Sequence, residues 1–424
     1  MSRILAALLA ATVCAGTAAA QTPPAITAEA PLTLEEALAA ARTRAPGIEA
    51  AQAGIRATDA ARTVAGLRPN PTLEAQSENV AGTGAYQGLS GAETTVGFAL
   101  PIELGGKRSA RIAVADARGD RARLQAAIAL ADLELQVTQA YIEAAASERR
   151  LAVALEQGVI AREGLRVAHD RVQVGATSPI DEQRAEVLAI NAGTAADRAA
   201  RSAQRARANL ARMIGQPVSG SLDAAWFERV DDYGPVLSAR PEGTLALAAA
   251  NADVATANAQ VRLARSQRVP DLTISAGARR LEATNDVAAV VGVSIPIPLF
   301  NNGRAAIAQA RAERDQAEAQ KRLARLDAER EIASAEGDVA NAAAAARAAR
   351  GPALAAAQEA ARIARLGYGQ GKFGQIELLD AERTLSETRA AATDAVAAYH
   401  DAQARLRRLT SPVPADLQTS GDIR

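Results

Sequence analysis

The feature that most restricts the fold of this chain is an internal duplication. Residues 174–186 read VGATSPIDEQRAE, and residues 369–384 read GQGKFGQIELLDAERT. In both, a glycine and small or polar residues precede an isoleucine, which is followed by an acid and by a second acid five residues later. A match 196 residues apart, as from Asp181 to Glu377, is far longer than the period of a solenoid and indicates two related halves.

Three further segment pairs match in the same order, at offsets of 199 (counted from Pro71 to Pro270), 195 and 196 residues. They are RPNPTLEAQ (68–76) with RVPDLTISA (268–276), VGFALPIELGGKR (96–108) with VGVSIPIPLFNNGR (291–304), and LARMIG (210–215) with LRRLTS (406–411). We therefore predict a first repeat at 21–215, a linker at 216–239, a second repeat at 240–411 and a C-terminal tail at 412–424.

Each half has the same predicted layout: a helical segment, two strands, a long helix, a turn and a last helix. Gly175 and Pro179 are helix-stop signals for the long helix of the first half. The predicted strands are 71–80, 91–102, 270–280 and 287–298. The predicted helices are 32–67 (divided at Pro46), 105–174, 180–214, 241–269, 303–368 and 376–410.

The long helix of the first half carries two heptad seams, whose centres lie ~150° apart around the helix. One seam contains Leu124, Ile128, Ala131, Leu135, Thr138, Ile142 and Ala145; the other contains Leu130, Leu133, Val137, Ala140, Ala144, Ser147 and Leu151. A helix covered on two nearly opposite sides fits a wall of helices better than a two-stranded coiled coil, although an ordinary helix bundle also tolerates this pattern. Aromatic residues are only 2% of the chain, and the abundant alanine suits thin, closely packed helices.

The predicted strands alternate between apolar residues on one face and small or polar residues on the other. Runs of about ten such residues are typical of outer-membrane barrels, and the alternative is an ordinary half-buried sheet. Because four strands cannot close a barrel, several copies of the chain would have to close one together.

The N-terminus has the pattern of a secretory signal peptide. Arg3 precedes an apolar run, and small residues at 18–20 form a cleavage site, so we predict a signal peptide at 1–20. Cys14, the only cysteine, lies inside this segment after Val13, which does not fit a lipoprotein. The mature chain then has no cysteine chemistry.

The duplicated helix–strand–strand–helix plan resembles the TolC-like outer-membrane efflux protein family, and LRPNPTLE and PIELGGKRSARI resemble its heavy-metal (CzcC-like) branch. The resemblance implies a mainly α fold with a small β part: a long α-helical barrel on a trimeric 12-stranded transmembrane β-barrel, four strands per chain. It implies an outer-membrane location with a long periplasmic extension. It also implies a homotrimer that works with a periplasmic adaptor and an inner-membrane proton-driven RND pump to export divalent cations such as cobalt, zinc and cadmium.

The resemblance also assigns roles to residues at the repeated phrases. Glu377, Asp380 and Tyr368 match the periplasmic gate, but Phe373 replaces the family's latching arginine. The alternative for Glu377 is an acid that stabilises a helix N-terminus. The tip turns expected to contact the adaptor are Gly175, Ala176, Thr177, Ser178, Gly371, Lys372, Phe373 and Gly374.

A second set of residues marks the passage from strand to helix. Pro101 is predicted to end the ladder of the second strand, and Gly105 and Gly106 to permit the turn into the long helix. Pro296, Pro298 and Gly303 are predicted to do the same in the second half. We interpret these six residues as a strand–helix swivel.

The residue types exclude several function classes. The 48 basic and 48 acidic residues give no reason to expect nucleic acid as a partner. The two histidines, His169 and His400, are isolated on helices, so we predict neither a metal site nor a cofactor, and no enzyme. Two alternatives stay open: a channel for drugs or secreted polypeptides, which shares the fold, and a soluble periplasmic coiled-coil adaptor.

Overall fold

The computed structural model describes residues 31–230 and 240–418. The predicted signal peptide with Cys14 lies outside these residues, as do 231–239 of the predicted linker and 419–424 of the predicted tail. The described residues form a mainly helical protomer with one small sheet, which confirms the predicted fold class of the chain.

The first repeat contributes four helices. Thr33 begins the first of them with a capping box: its hydroxyl accepts from the Glu36 N–H at 3.2 Å, and Glu36 Oε2 accepts from the Thr33 N–H at 2.9 Å. The longest helix packs along both the second and the fourth. The four are α1 (Leu34–Arg44), α2 (Pro46–Ala65), α3 (Lys107–Gln173) and α4 (Pro179–Ile214).

The second repeat has the same order but differs in its long helix. The sequence predicts one continuous helix over 303–368, whereas the structure has two helices joined by a π-helical segment, Ala349–Ala353. Pro352 lies in that segment; its ring has no N–H to donate and clashes with the preceding turn, which a regular α-helix cannot absorb. The helices are α5 (Ala224–Glu228) in the linker, then α6 (Leu245–Ser266), α7 (Arg304–Ala348), α8 (Leu354–Gly369), α9 (Gln375–Leu409) and α10 (Ala415–Gln418).

Within the described ranges, none of the helices combines the length and apolar character needed to cross a membrane.

The four strands form one antiparallel sheet in the order β1-β2-β3-β4: β1 (Thr72–Glu78), β2 (Glu93–Ile102), β3 (Leu272–Leu281) and β4 (Asp286–Ser294). The two repeats therefore meet at the β2–β3 pair, in the middle of the sheet. Gly97 lies directly opposite Gly277 at this seam. A Cβ at Gly277 would lie 2.6 Å from the Val96 carbonyl oxygen, so the close approach of the two backbones requires glycine.

One predicted role and one strand end differ from the prediction. β2 ends at Ile102 as predicted, but Pro101 does not end its ladder, because Pro101 still pairs with Thr273 of β3. β1 begins only opposite Ala99, so Pro101 has a strand on one side alone, where a missing N–H is tolerated. β4 ends at Ser294 instead of 298, and Pro296 and Pro298 follow outside the ladder.

The two faces of the sheet differ as the alternation predicts. The row Leu100, Ile274 and Val293 crosses three strands on the apolar face. Large side chains on this face are exposed in the protomer: Leu73, Val96, Phe98, Leu100, Ile274, Val287, Val291 and Val293. On the opposite face Arg279 joins three strands, since it forms ion pairs with Glu78 at 3.2 Å and Glu93 at 2.8 Å.

The middle of the helical part holds the main core. Both predicted seams of α3 are covered, because none of their residues is exposed. Tyr141 of α3 donates from its hydroxyl to the Leu32 carbonyl at 2.7 Å, and burial raises the pKa of Tyr141 to about 12. His400 of α9 stacks on Trp226 of α5 with ring centroids 4.4 Å apart. The short linker helix is thereby fixed between the long helices of the two repeats.

Candidate functional site

The first helix-hairpin tip is a tight turn between α3 and α4. Gly175 has φ +71° and donates to the Val172 carbonyl at 3.0 Å, and the Ala176 N–H donates to the Arg171 carbonyl at 2.8 Å. This pair of bonds is a Schellman motif, which a left-handed glycine makes possible. Ser178 then caps α4 by accepting from the Ile180 N–H at 3.3 Å.

The second tip repeats this geometry between α8 and α9. Gly371 has φ +70° and donates to the Tyr368 carbonyl at 3.1 Å, and the Lys372 N–H donates to the Gly367 carbonyl at 2.8 Å. Phe373 packs so closely over Gly367 that a Cβ there would lie 2.1 Å from its ring. The repeated phrases thus encode the same helix stop twice, and both predicted sets of tip residues lie in these turns.

The fold brings the two tips together through Arg171 of α3. Its guanidinium lies 4.0 Å from the ring centroid of Tyr368, a cation–π contact, and Nη2 donates to the Tyr368 carbonyl at 3.2 Å. Gln375 also donates to the Asp181 carbonyl at 3.5 Å. Sequence reasoning missed Arg171, although its place one turn before Gly175, as Tyr368 is before Gly371, was a signal that could have identified it.

The acids after the two tips differ in their partners. Asp181 accepts from the Thr177 hydroxyl at 2.5 Å and lies 3.7 Å from Arg184. Glu377 and Asp380 are exposed and form no ion pair with any described residue, although Asp380 lies one helical turn before Arg383. The carboxylate of Glu377 lies over the start of α9, because a Cβ at Gly374 would be 2.8 Å from Glu377 Oε2. The structure therefore leaves Glu377 and Asp380 unpaired at the second tip, whereas Asp181, the counterpart of Glu377, is paired at the first.

Each hairpin is braced by a basic side chain at the same place in its repeat. In the second hairpin, Arg365 forms an ion pair with Glu382, whose side chain is only 6% exposed. In the first, His169 Nδ1 lies 2.8 Å from Glu182 Oε1. The hydrogen bond with Glu182 raises the pKa of His169 above its usual value.

An open apolar groove lies beside the tips, between α3, α4 and α9. Its volume is about 1060 Å³, and Ile160, Val187, Ile376 and Leu379 form much of its wall. Asp380 and Glu382 line its polar side. Among the residues that the structure describes, no group of His, Cys, Asp or Glu is arranged to hold a metal ion.

The predicted swivel residues lie at the two strand–helix junctions. Gly105 and Gly106 have φ +69° and +70° between β2 and α3, and Gly303 has φ +74° before α7.

The first junction is held by ion pairs. Arg111 pairs with Glu103 and lowers the pKa of that carboxyl, and Lys107 lies 2.7 Å from Asp271 Oδ1.

The second junction, residues 295–303, forms no ion pair with any described part of the chain. It ends in two short asparagine contacts: the Gly303 N–H donates to Asn301 Oδ1 at 3.2 Å, and the Arg304 N–H donates to Asn302 Oδ1 at 3.1 Å.

Comparison with known proteins places this architecture in one family. The model of the outer membrane efflux protein family matches residues 37–216 and 239–411. The cobalt-zinc-cadmium resistance protein CzcC of Cupriavidus metallidurans is 31% identical over 365 residues, which are 85% of each chain. The nickel and cobalt resistance protein CnrC of the same organism is 31% identical over 75% of each chain.

Among solved structures, the outer membrane protein VceC of Vibrio cholerae superposes with a TM-score of 0.72 at 20% identity. The match covers 89% of this chain and 96% of that one. At this identity the likeness shows the fold alone.

Proposed function

Because the chain belongs to the outer membrane efflux protein family, we propose that it carries divalent metal cations, such as those of cobalt, zinc and cadmium, through an outer-membrane channel. The observation that carries the choice of cargo is the similarity to CzcC along 85% of both chains. The family consists of channel proteins, so the alternative of a soluble periplasmic adaptor is set aside.

The sheet explains why the channel is an assembly. Its outer strands, β1 and β4, each have one free edge, and a free edge cannot remain unpaired in lipid. Three copies of the four-stranded sheet would make a barrel of twelve strands, within the range of closed outer-membrane barrels. The exposed apolar face of each sheet would then face lipid, and the face with Arg279 the aqueous lumen.

The other end of the protomer meets the rest of the pump. By resemblance to the efflux family, the two tips would form the periplasmic mouth, where they would contact a periplasmic adaptor and, through it, an inner-membrane proton-driven RND pump. The two tips lie side by side in the protomer, joined by Arg171 and Tyr368, which supports one docking surface made from both repeats.

The unpaired acids of the second tip would form the gate. In a trimer, Glu377 and Asp380 place six carboxylates around the axis, and their mutual repulsion is relieved by cations or by widening. Tyr368 would hold the closed state through Arg171. That arginine comes from α3 rather than from position 373, where the family has its latch.

Deletion of this chain tests the cargo. We expect a deletion strain to grow poorly at zinc, cobalt or cadmium concentrations that the parent tolerates, and growth curves across a metal series measure this. Unchanged metal tolerance together with new sensitivity to dyes or antibiotics would contradict the proposal and favour a drug channel.

Replacement of Glu377 and Asp380 by alanine tests the gate. We expect lower cation selectivity and weaker block by multivalent cations in planar-bilayer recordings, with assembly intact because the tips lie far from the sheet. Asp181→Ala is the matched control, since that acid is already paired within its own tip. Selectivity and block equal to the wild type in the double variant would show that the two acids only stabilise the start of α9.

A further inference from the structure

The second strand–helix junction carries an exposed apolar surface that the channel function above does not use. Ile295 and Ile297 follow β4 in the same alternation as its apolar face, and Leu299 comes after a tight turn in which its N–H donates to the Ile297 carbonyl at 2.9 Å. Ile297 is 78% exposed and Phe300 is fully exposed. Residues 295–300 contain no charged side chain.

The position of this segment indicates which surface covers it. It directly continues the face of the sheet that lies against lipid in an outer-membrane channel. Pro296 and Pro298 have no N–H, so the segment cannot extend a regular strand ladder with a neighbouring copy. In the channel proposed above, on which this inference rests, the junction lies at the periplasmic end of the sheet, where the lipid headgroups and the water meet.

Two arginines lie beside the apolar segment. Arg304 begins α7 directly after the junction, and the side chain of Arg268 crosses Gly303, where a Cβ would be 2.7 Å from Arg268 Cγ. Both are exposed and neither forms an ion pair with a described residue. Asp271, the nearest acid along the chain, is engaged by Lys107.

We propose that residues 295–304, together with Arg268, form an anchoring site for anionic phospholipid in the periplasmic leaflet of the outer membrane. Ile297, Leu299 and Phe300 insert among the acyl chains, and Arg268 and Arg304 bind lipid phosphates from the aqueous side. Apolar side chains with adjacent cations are the combination that binds an anionic membrane surface. The first junction differs because Glu103 interrupts its apolar run and because Lys107 and Arg111 pair with acids, while Arg108, the counterpart of Arg304, donates to the Gly66 carbonyl at 2.6 Å.

A spin label at position 300 tests the insertion. Phe300→Cys is made in a chain with Cys14→Ser, which leaves one labelling site, and the trimer is reconstituted in vesicles of phosphatidylethanolamine and phosphatidylglycerol. We expect the label to be relaxed by molecular oxygen and protected from a water-soluble nickel chelate. Leu326→Cys on α7 is the control: it is 62% exposed and ~33 Å further along the helix axis, so nickel should reach it.

Two results would overturn the insertion. Equal nickel access at positions 300 and 326 would place the junction in water. Exclusion of both oxygen and nickel at position 300 would show that a neighbouring copy covers it.

Removal of the two arginines tests the headgroup recognition. We expect Arg268→Gln with Arg304→Gln to weaken binding of a fluorescent phosphatidylglycerol to the detergent-solubilised trimer at least tenfold relative to phosphatidylcholine, because each cation near an anionic surface contributes a severalfold preference. Arg322→Gln, an exposed arginine of α7 without an ion-pair partner, should change nothing. Unchanged lipid preference in the double variant, or displacement of the lipid by millimolar inorganic phosphate, would contradict the proposal.

Discussion

The two repeats share one plan, but they differ in the long helix, in the tip acids and in the strand–helix junction. In the first, α3 is continuous over 67 residues, its tip acid is paired and its junction is held by ion pairs. In the second, the matching helix is interrupted at Ala349–Ala353, the tip acids are unpaired and the junction is apolar. The two copies therefore share one scaffold and differ at these three places.

The π-helical segment that interrupts the long helix of the second repeat also contacts the linker helix α5. Arg350, inside the π-helical segment, donates to the Glu228 carbonyl of α5 and lies 3.9 Å from the Glu228 carboxylate. A cavity of about 360 Å³ lies beside it between α3, α8 and α9. A helix bends more easily where it departs from α-geometry, and the aligned residues 153–157 of α3, which border the same cavity, keep regular α-geometry.

The largest effect is expected where the repeats join. Gly277→Ala should lower the free energy of unfolding by about 3 kcal/mol, because the new Cβ would lie 2.6 Å from the Val96 carbonyl oxygen and 2.8 Å from Gly97 Cα, both backbone atoms. Denaturant unfolding and the heat resistance of the trimer on gels measure this. Gly292→Ala is the control, since its Cβ would meet only the Ser275 hydroxyl, which can rotate away. Equal losses at the two sites would show that the β2–β3 pair is packed no more tightly than the β3–β4 pair.

The next largest effect on stability is expected for the contacts that brace the two helical hairpins. Arg365→Ala should lower the free energy of unfolding by about 2 kcal/mol, because it leaves the buried Glu382 carboxylate without its partner. His169→Ala removes an exposed contact and should have an effect too small to resolve. Chemical denaturation of both variants makes the comparison, and Arg365→Ala with Glu382→Ala should recover most of the loss. Equal effects of the two single substitutions would show that the two contacts stabilise their hairpins equally.

Hydrogen exchange tests the interruption itself. Amides around the π-helical segment should exchange about tenfold faster than those of residues 153–157, since local opening costs less where the regular bond ladder is broken. Pro352→Ala should reduce the difference in exchange rate between the two segments, because it restores a backbone N–H donor. Mass spectrometry resolves both segments in one protein, and equal protection of the two would mean that the second hairpin is as rigid as the first.

The smallest expected effect is a pH dependence confined to the first hairpin. The pKa of His169 is raised by Glu182, so this contact stabilises the folded hairpin fully below the ordinary histidine pKa of ~6.5 and is lost as pH rises through the raised value. The matching Arg365 stays charged throughout. Exchange of tip amides at pH 6 and pH 8, corrected for intrinsic rates, should show weaker protection at the higher pH in the first hairpin only. His169→Gln should abolish the difference, and a difference that persists in that variant would assign it to other groups.

The sequence by itself determined the duplication, the order of elements, the two tips and the alternating strands. These are local properties: a left-handed glycine such as Gly175 or Gly371 ends a helix whatever lies nearby, and a period of two places side chains on opposite faces of any strand. Sequence reasoning was less reliable where a local signal has two outcomes. Proline ended the ladder at β4 but not at Pro101, since the result depends on whether a neighbouring strand needs the missing N–H.

Only the tertiary structure decided which residues meet across the two repeats. Gly97 faces Gly277, and Arg171 covers Tyr368, because the strand register and the packing of α3 against the second repeat bring together residues 180 and 197 positions apart. In neither pair does the sequence around one residue identify the other. The exposed segment after β4 is a further case: its composition is visible in the sequence, but its exposure and the proximity of Arg268 to Gly303 depend on the fold. A contact between distant residues is fixed by the summed packing of every element between them, which no local pattern contains.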